Sequence, residues 1–340
     1  MQIFLLYKNV EICYTIRVSY YIKTKEAQSL SLKVKLIIAI QSVTIMALLG
    51  VIMWMVYTQI PREAEEASLE VSDGRIIAEN VDEDGHYRVT GKKIYLDMPG
   101  VGQMWLPVLA DVPANTRSAE QLVCRNNQQY YLDETHKITS KLGIDVSSHQ
   151  SDIDWNTVKA SGVDFAFIRC AFRGYGSGEI VPDKDFEKNI QGAQAAGIHV
   201  GVYFYSQAVT KEEALEEAEQ TIALIGDHKL DYPVVYDWET VPEDTARTDN
   251  IGVDDLTDCT ITFCDRIREA GFTPMVYQNK RLSLLKLDLP RLQNYDFWLA
   301  EYNDQASYYY NYRIWQYCSD GHVPGIDGVV DMNICFEPYA

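Results

Sequence analysis

The stretch Tyr232-Pro233-Val234-Val235-Tyr236-Asp237-Trp238-Glu239 decides how this chain is read. Its first half is apolar and β-branched, the pattern of a strand buried on both faces. Its end carries two carboxylates. Residues i and i+2 of a strand share a face, roughly 6–7 Å apart at Cα, so Asp237 and Glu239 point the same way. Burial and like-charge repulsion raise the pKa of at least one of two acids placed like this. One carboxyl kept protonated beside one ionised is the equipment of a glycosidase. The plainer alternative is a solvated loop after the strand, where Asp and Glu are common.

The neighbouring sequence favours the first reading. From Leu142 onward short apolar strand patterns alternate with helical ones, the signature of an α/β barrel or doubly wound sheet. The expected strands are 143–146, 165–170, 199–205, 234–237, 274–277, 297–300, 313–316 and 328–331, with helices over 184–196, 211–225 and 254–270. The charged run Glu212, Glu213, Glu216, Glu217 reads as a solvated helix face. The last strands follow one another too closely for full helices, so the expected fold is an irregular barrel. In a barrel of parallel strands the site is built at the carboxyl ends of the strands. Those ends supply Asp145, Arg169, Tyr203, Tyr205, Asp237, Glu239, Tyr277, Gln278, Glu301, Gln316 and Asp331. Any single acid there could be an N-cap or turn residue. Asp145, Asp237, Glu239 and Asp331 converging together, without metal-type spacing, point to acid/base work on a neutral substrate.

Gly143-Ile144-Asp145-Val146-Ser147-Ser148-His149-Gln150, followed by Asp152-Ile153-Asp154-Trp155, resembles the opening of the family 25 glycoside hydrolases, the lysozymes of the Chalaropsis and cellosyl type. Phe167-Ile168-Arg169, Val200-Gly201-Val202-Tyr203-Phe204-Tyr205-Ser206, Asp237-Trp238-Glu239, Trp298-Leu299-Ala300, Ile314-Trp315-Gln316-Tyr317 and Val330-Asp331-Met332-Asn333 follow in the family's order. The resemblance covers about residues 141–340. It implies a TIM-like barrel of five β/α units closed by three β segments. It also implies an N-acetylmuramidase that cuts the β-1,4 bond from N-acetylmuramic acid to N-acetylglucosamine in peptidoglycan. On the matching positions Glu239 is the general acid. Asp237 is its partner, either a nucleophile or the group steering the substrate's N-acetyl oxygen. Asp145 and Asp331 are supporting acids, and Tyr203, Tyr205, Tyr277, Trp298 and Gln316 are substrate-binding residues. A core role competes for Trp298. No metal and no organic cofactor is implied. Ser151 departs from the glycine of many relatives, in a loop where little depends on it.

The rest of the chain bears on where such an enzyme would work. The net charge is −19, and residues 1–35 carry six basic and two acidic side chains, which leaves −23 for the remainder. A body that acidic repels a phosphate backbone, so nucleic acid is not an expected partner. Leu36–Tyr57 is apolar and uncharged, long enough to cross a bilayer of ~30 Å as a helix. Lys33 and Lys35 precede it; Arg62 and then Glu63, Glu65, Glu66 and Glu70 follow. That asymmetry places 1–35 in the cytoplasm and the bulk outside, on a single-pass signal anchor of a bacterium expected to be Gram-positive. A cleaved signal peptide is the alternative, disfavoured by the length of the run and the lack of a small-x-small cleavage site. Residues 61–138 read as a linker and a small β-rich extension, with strand patterns at 86–89, 93–96, 104–109, 121–124 and 129–132. The extension is a spacer, or it touches the wall or a partner. Residues 141–340 are the expected catalytic barrel. The seven cysteines form no zinc spacing and no readable disulfide framework. An anchored wall hydrolase could remodel the wall or open a gap for an envelope-spanning machine. The rival from another class is a non-catalytic glycan-binding protein on the same barrel. A chitinase is disfavoured because Val234-Val235-Tyr236 stand where that family carries acids.

Overall fold

The computed structural model describes residues 87–339 apart from 99–101, 127 and 243. The expected tail, membrane anchor and linker lie outside the described residues. Among those described, no helix is long and apolar enough to cross a membrane.

Two short hairpins come first: β1 (Val89–Met98) with β2 (Gly102–Leu109), and β3 (Leu122–Arg125) with β4 (Gln128–Tyr131). A nine-stranded sheet follows, made of β5 (Lys141–Val146), β6 (Phe165–Arg173), β7 (Ile180–Pro182), β8 (His199–Ser206), β9 (Val234–Trp238), β10 (Pro274–Asn279), β11 (Asp296–Ala300), β12 (Ile314–Gly321) and β13 (Val330–Cys335). Its order is β5-β13-β12-β11-β10-β9-β8-β6-β7, and a parallel β5–β6 pairing joins the two sides. Eight strands thus close into a barrel-like ring, with β7 added at the rim of β6. Helices α1 (Trp155–Ala160), α2 (Phe186–Ala195), α3 (Lys211–Ile225), α4 (Val253–Glu269) and α5 (Lys280–Lys286) fill the first five crossovers. α1 and α5 are only one or two turns long, too short to show a helical period in the sequence.

The final strand differs from expectation in a way that matters. Sequence reading ends a strand at Asp331, as if parallel to its neighbours. The structure begins one there: Val330–Cys335 runs antiparallel to both β12 and β5. Eight residues separate β12 from β13 in sequence, enough for a turn but not for a crossover helix. The reversed strand delivers Asp331 at its start to the same rim that the parallel strands reach at their ends.

Side-chain alternation sorts the ring into two cores. Phe165, Phe167, Tyr203, Tyr232, Val235, Met275, Tyr277, Trp298, Ile314 and Cys335 pack together inside it. Phe165 stacks on Tyr232 at 4.5 Å between ring centroids, and Phe167 on Trp298 at 4.6 Å. The second core lies between the strands and the helices and includes Ile94, Leu96, Leu106 and Val108 of the first hairpin. The extension therefore shares the barrel's core. Arg117 ties it down further, donating to the Tyr312 carbonyl at 2.6 Å and lying over the Phe336 ring.

The acidic run on α3 is also more than a solvated face. The helical repeat places Glu217 on the same stripe as Ala214, Ala218 and Thr221, which faces the ring. There it is fully buried, accepting from Arg173 Nε at 2.7 Å and from Ser206 Oγ at 2.6 Å. Cys170, Cys259, Cys264 and Cys335 are buried free thiols, whereas Cys124 is exposed and Cys318 half-buried.

Glycine at two strand positions makes room for the inner aromatics. A Cβ on Gly143 would sit 2.2 Å from the Phe165 ring. One on Gly201 would sit 2.4 Å from Phe167 and 2.7 Å from the Pro233 carbonyl oxygen, which is backbone and cannot swing away. Gly201→Ala is expected to cost about 1–3 kcal/mol through overpacking. Thermal unfolding followed by circular dichroism checks this, and an unchanged midpoint would contradict the packing described.

Candidate active site

At the rim where β5, β6, β8, β9 and β10 end, the ring opens into a cavity of about 220 Å³. All nine residues given a catalytic or substrate-binding role from the sequence line it: Asp145, Tyr203, Tyr205, Asp237, Glu239, Tyr277, Trp298, Gln316 and Asp331. Of the other strand-end candidates Arg169 does too, whereas Gln278 is buried elsewhere and Glu301 caps the 307–308 backbone. Strand register explains the convergence. Asp237 is level with Tyr205 on one side and Tyr277 on the other. Asp331 is directly opposite Asp145 across the antiparallel pair. Gln316 faces Asn333. Glu239 lies one residue past β9, on the same face as Asp237 and further out.

A relay of amides fixes Asp145. The Gln316 Oε1 accepts from the phenols of Tyr277 and Tyr302, each at 2.9 Å. Its Nε2 therefore faces the Asp145 Oδ2 and donates at 2.9 Å. The Asn333 Oδ1 accepts from the Trp298 indole at 2.8 Å, so its Nδ2 also donates to Asp145 Oδ2, at 2.7 Å. Two N–H donors on one oxygen favour the ionised form. Burial pushes the other way and wins, so the Asp145 pKa rises to about 6, the lowest among the four acids.

The other three are held more strongly protonated. Burial first, then the charge of Asp145, lifts Glu239 to about 7. The same two causes lift Asp331 to about 8, with Glu239 adding to them. Burial, Glu239 and Asp145 together push Asp237 well above the carboxylate range, against a weak pull from Arg169. Asp237 Oδ1 is buried with no hydrogen-bond partner. Arg169 is the only Lys or Arg among the described residues lining the cavity. It is already committed to Asp183, with Nη2 at 2.8 Å. Four carboxyls thus share one poorly hydrated mouth with little positive charge, and cannot all ionise near neutrality. Such a mouth stores protons that can be given to a bound ligand. Among the described residues no group of His, Cys, Asp or Glu is arranged to hold a metal ion.

The aromatic positions divide by exposure. Tyr203 and Tyr277 are buried, and Tyr205 is half-buried. Trp298 is 1% exposed, packed under Tyr277 and on Phe167, so it stands as the floor of the cavity. Tyr302 and Asn333 carry no assigned role in the sequence reading. Both continue an alternation visible in the chain: Tyr302 follows Trp298 and Ala300 at steps of two, and Asn333 follows Asp331.

Known proteins share this fold. Residues 144–326 match the family model described as glycosyl hydrolases family 25. The chain belongs to that family. The match includes Asp145, Asp237 and Glu239 and stops short of Asp331. The autolytic lysozyme of Clostridium acetobutylicum is 28% identical over 197 residues, which is 56% of this chain and 54% of that protein. The modular autolysin LytC of Streptococcus pneumoniae superposes with a TM-score of 0.51 at 25% identity, covering 74% of this chain and 59% of that one. The spore cortex lytic enzyme SleM of Clostridium perfringens superposes with a TM-score of 0.51 at 23% identity, a likeness of fold. The chain thus spans little more than half the length of the first two relatives.

The raised pKa of Asp331 has a measurable sign. Unfolded, the group titrates near the ordinary carboxylate value; folded, near 8. Between those values the folded state keeps a proton that the unfolded state releases, so stability falls as pH rises through that window and levels off above it. Asp331→Asn removes the effect. The variant is expected to gain thermal stability over the parent at pH 8.5 and little at pH 4. An equal difference at both pH values would show that Asp331 titrates normally.

Proposed function

We propose that this protein is a peptidoglycan hydrolase, an N-acetylmuramidase of the Chalaropsis type on a TIM-like (β/α)5(β)3 barrel. It is held at the cell surface by the 36–57 segment, with the barrel outside. The observation that carries the reading is the set of four carboxyls in one mouth, their pKa values spread upward from about 6. A glycosidic oxygen leaves as an alcohol only if it is given a proton, and a carboxyl at about 7 still holds one at neutral pH. Glu239, the outermost member of the strand pair, is the donor. Asp237 is its partner: protonated near neutrality, it orients the substrate's N-acetyl group, and it serves as nucleophile only once it has given up that proton. Its Oδ1 is buried without a hydrogen-bond partner, which leaves that oxygen open to such a contact. Asp145, clamped by two amides, holds the negative charge that keeps protons on the others, and Asp331 sits opposite it. Tyr203, Tyr205, Tyr277 and Gln316 shape the walls around the sugar. The basic residues before 36–57 and the acidic ones after it support the outward orientation.

The test uses the full chain in detergent with isolated peptidoglycan, the soluble products being reduced and identified. New reducing ends on muramic acid are expected. Glu239→Gln should lower their rate by about 10²–10⁴-fold and leave glycan binding intact. Glycan left uncut by the parent chain, yet still bound, would turn the protein into a binding module. The rate should peak between about pH 6 and about pH 7. It falls on the alkaline side as Glu239 loses its proton, and on the acid side as Asp145 gains one. A flat rate from pH 4 to 9 would reject carboxyl-based acid catalysis.

A further inference from the structure

The first hairpin carries a feature that neither the barrel nor the site uses. Its inward residues Ile94, Leu96, Leu106 and Val108 are buried in the core shared with the barrel. Its outward face is set by the other parity. Tyr95 is paired directly with Trp105, and Asp97 with Gln103. The two rings lie 5.0 Å apart between centroids with their planes tilted by 50°. Tyr95 is 42% and Trp105 49% exposed. Beside them the Asp97 carboxylate accepts from Gln103 Nε2 at 3.1 Å and lies 3.4 Å from the Tyr95 hydroxyl.

A cross-strand aromatic pair does steady a hairpin. This hairpin, however, already has a buried face and is anchored to the barrel. The Tyr310 hydroxyl accepts from Leu109 N at 2.9 Å, and the Tyr87 hydroxyl donates to Asp288. Two large rings side by side in solvent, rimmed by a carboxylate and an amide, make an apolar patch with hydrogen-bonding edges. The chemistry that matches is a sugar ring, whose C–H face packs on an aromatic plane while its hydroxyls reach the Asp97 and Gln103 oxygens and amide. Charge narrows the occupant further. Outside its first 35 residues the chain is strongly acidic, so a polyanion is repelled, whereas an extended glycan backbone is not. Size argues for a second site as well. A cavity of about 220 Å³ is below the ~300–1,000 Å³ that encloses a whole small ligand, so most of a glycan strand must run outside it.

We infer that the Tyr95–Trp105 face of the β1–β2 hairpin is an accessory glycan-binding surface, which holds a strand of the polymer on the body of the enzyme apart from the cleavage site. Because the hairpin shares its core with the barrel, the second contact acts at a fixed geometry and adds by avidity. The choice of glycan as occupant rests on the muramidase reading; the surface itself does not.

The experiment measures binding of the full Glu239→Gln chain, in detergent, to insoluble peptidoglycan, with cellulose as the control polymer. Trp105→Ala and Tyr95→Ala are expected to weaken binding about threefold to tenfold each, the worth of one aromatic contact. Trp105→Phe should recover most of the loss, and Gln103→Ala, which leaves both rings in place, should give a smaller one. In the catalytically intact chain, Trp105→Ala should slow solubilisation of insoluble peptidoglycan and leave turnover of a short soluble glycan unchanged. Unchanged binding in Trp105→Ala, Tyr95→Ala and Gln103→Ala, with the thermal midpoint retained, would overturn the inference. Equal weakening of binding to cellulose would overturn its specificity. The two readings separate cleanly. Loss of binding in these variants of a chain that never cuts glycan would support the surface and reject the muramidase. Cutting by a chain whose binding ignores Trp105 would do the reverse.

Discussion

The structure is built around a crowd of negative charge that it cannot fully ionise. Asp145, Asp237, Glu239 and Asp331 share one rim, and Arg169, the one Lys or Arg lining it among the described residues, is already paired with Asp183. Water would ordinarily relieve such repulsion. The rim is walled by Tyr203, Tyr277 and Gln316 and floored by Trp298, all of them buried, so relief comes by proton uptake instead. Asp145 differs from the rest only because two amides point at one of its oxygens. Those amides are locked in turn by phenols and an indole behind them. The order of the acids is thus set by neutral side chains around Asp145, of which Tyr277 and Gln316 also wall the cavity.

Backbone topology makes that crowd possible. Parallel strands place their carboxyl ends at one rim, which accounts for Asp145, Asp237 and Glu239. A fourth acid level with Asp145 requires a neighbour in register, and an eighth parallel strand would have needed a crossover of a dozen or more residues to return the chain. The short link before β13 has no room for one, so the strand runs back and presents its beginning at that rim. Asp331 and Asn333 enter the site two residues apart, one opposite Asp145 and the other donating to it. The same strand closes the ring and supplies half of the Asp145 clamp.

Much of this is legible in the amino-acid sequence alone. Alternation within Val234–Asp237 and the apolar runs around it locate the strands, and strand ends locate the acids, because side-chain parity and barrel topology are local rules. What is not legible depends on contacts between distant segments. Nothing near Glu217 in sequence shows that Arg173, more than forty residues earlier, reaches it; a charged helix stripe reads as solvated unless its partner is known. The direction of β13 is set by a link too short for a helix, whereas Asp331 at the end of an apolar run suggests the opposite sense. Trp298 reads equally as a substrate-binding or a core residue, and its near-complete burial under Tyr277 puts it in the cavity floor. The role of Asn333 follows from parity alone and is reached by extending the pattern two residues.

The extension's expected strands return as β1–β4, but how they pack is not legible in the sequence. As a string of short strands it reads as a spacer, since each piece is too small to hold a core of its own. In the fold its apolar parity joins the barrel's outer core while the other parity stays in water. A segment needed only for length would have no reason to keep Tyr95 and Trp105 paired in solvent, where large rings invite unwanted association. A segment fastened by Arg117, Leu109 and Tyr87 has a fixed face to offer, and fixed geometry is what turns weak stacking on a polymer into useful residence. The constraint on the hairpin is therefore double: one parity must satisfy the barrel, and the other is left free to meet what lies outside it.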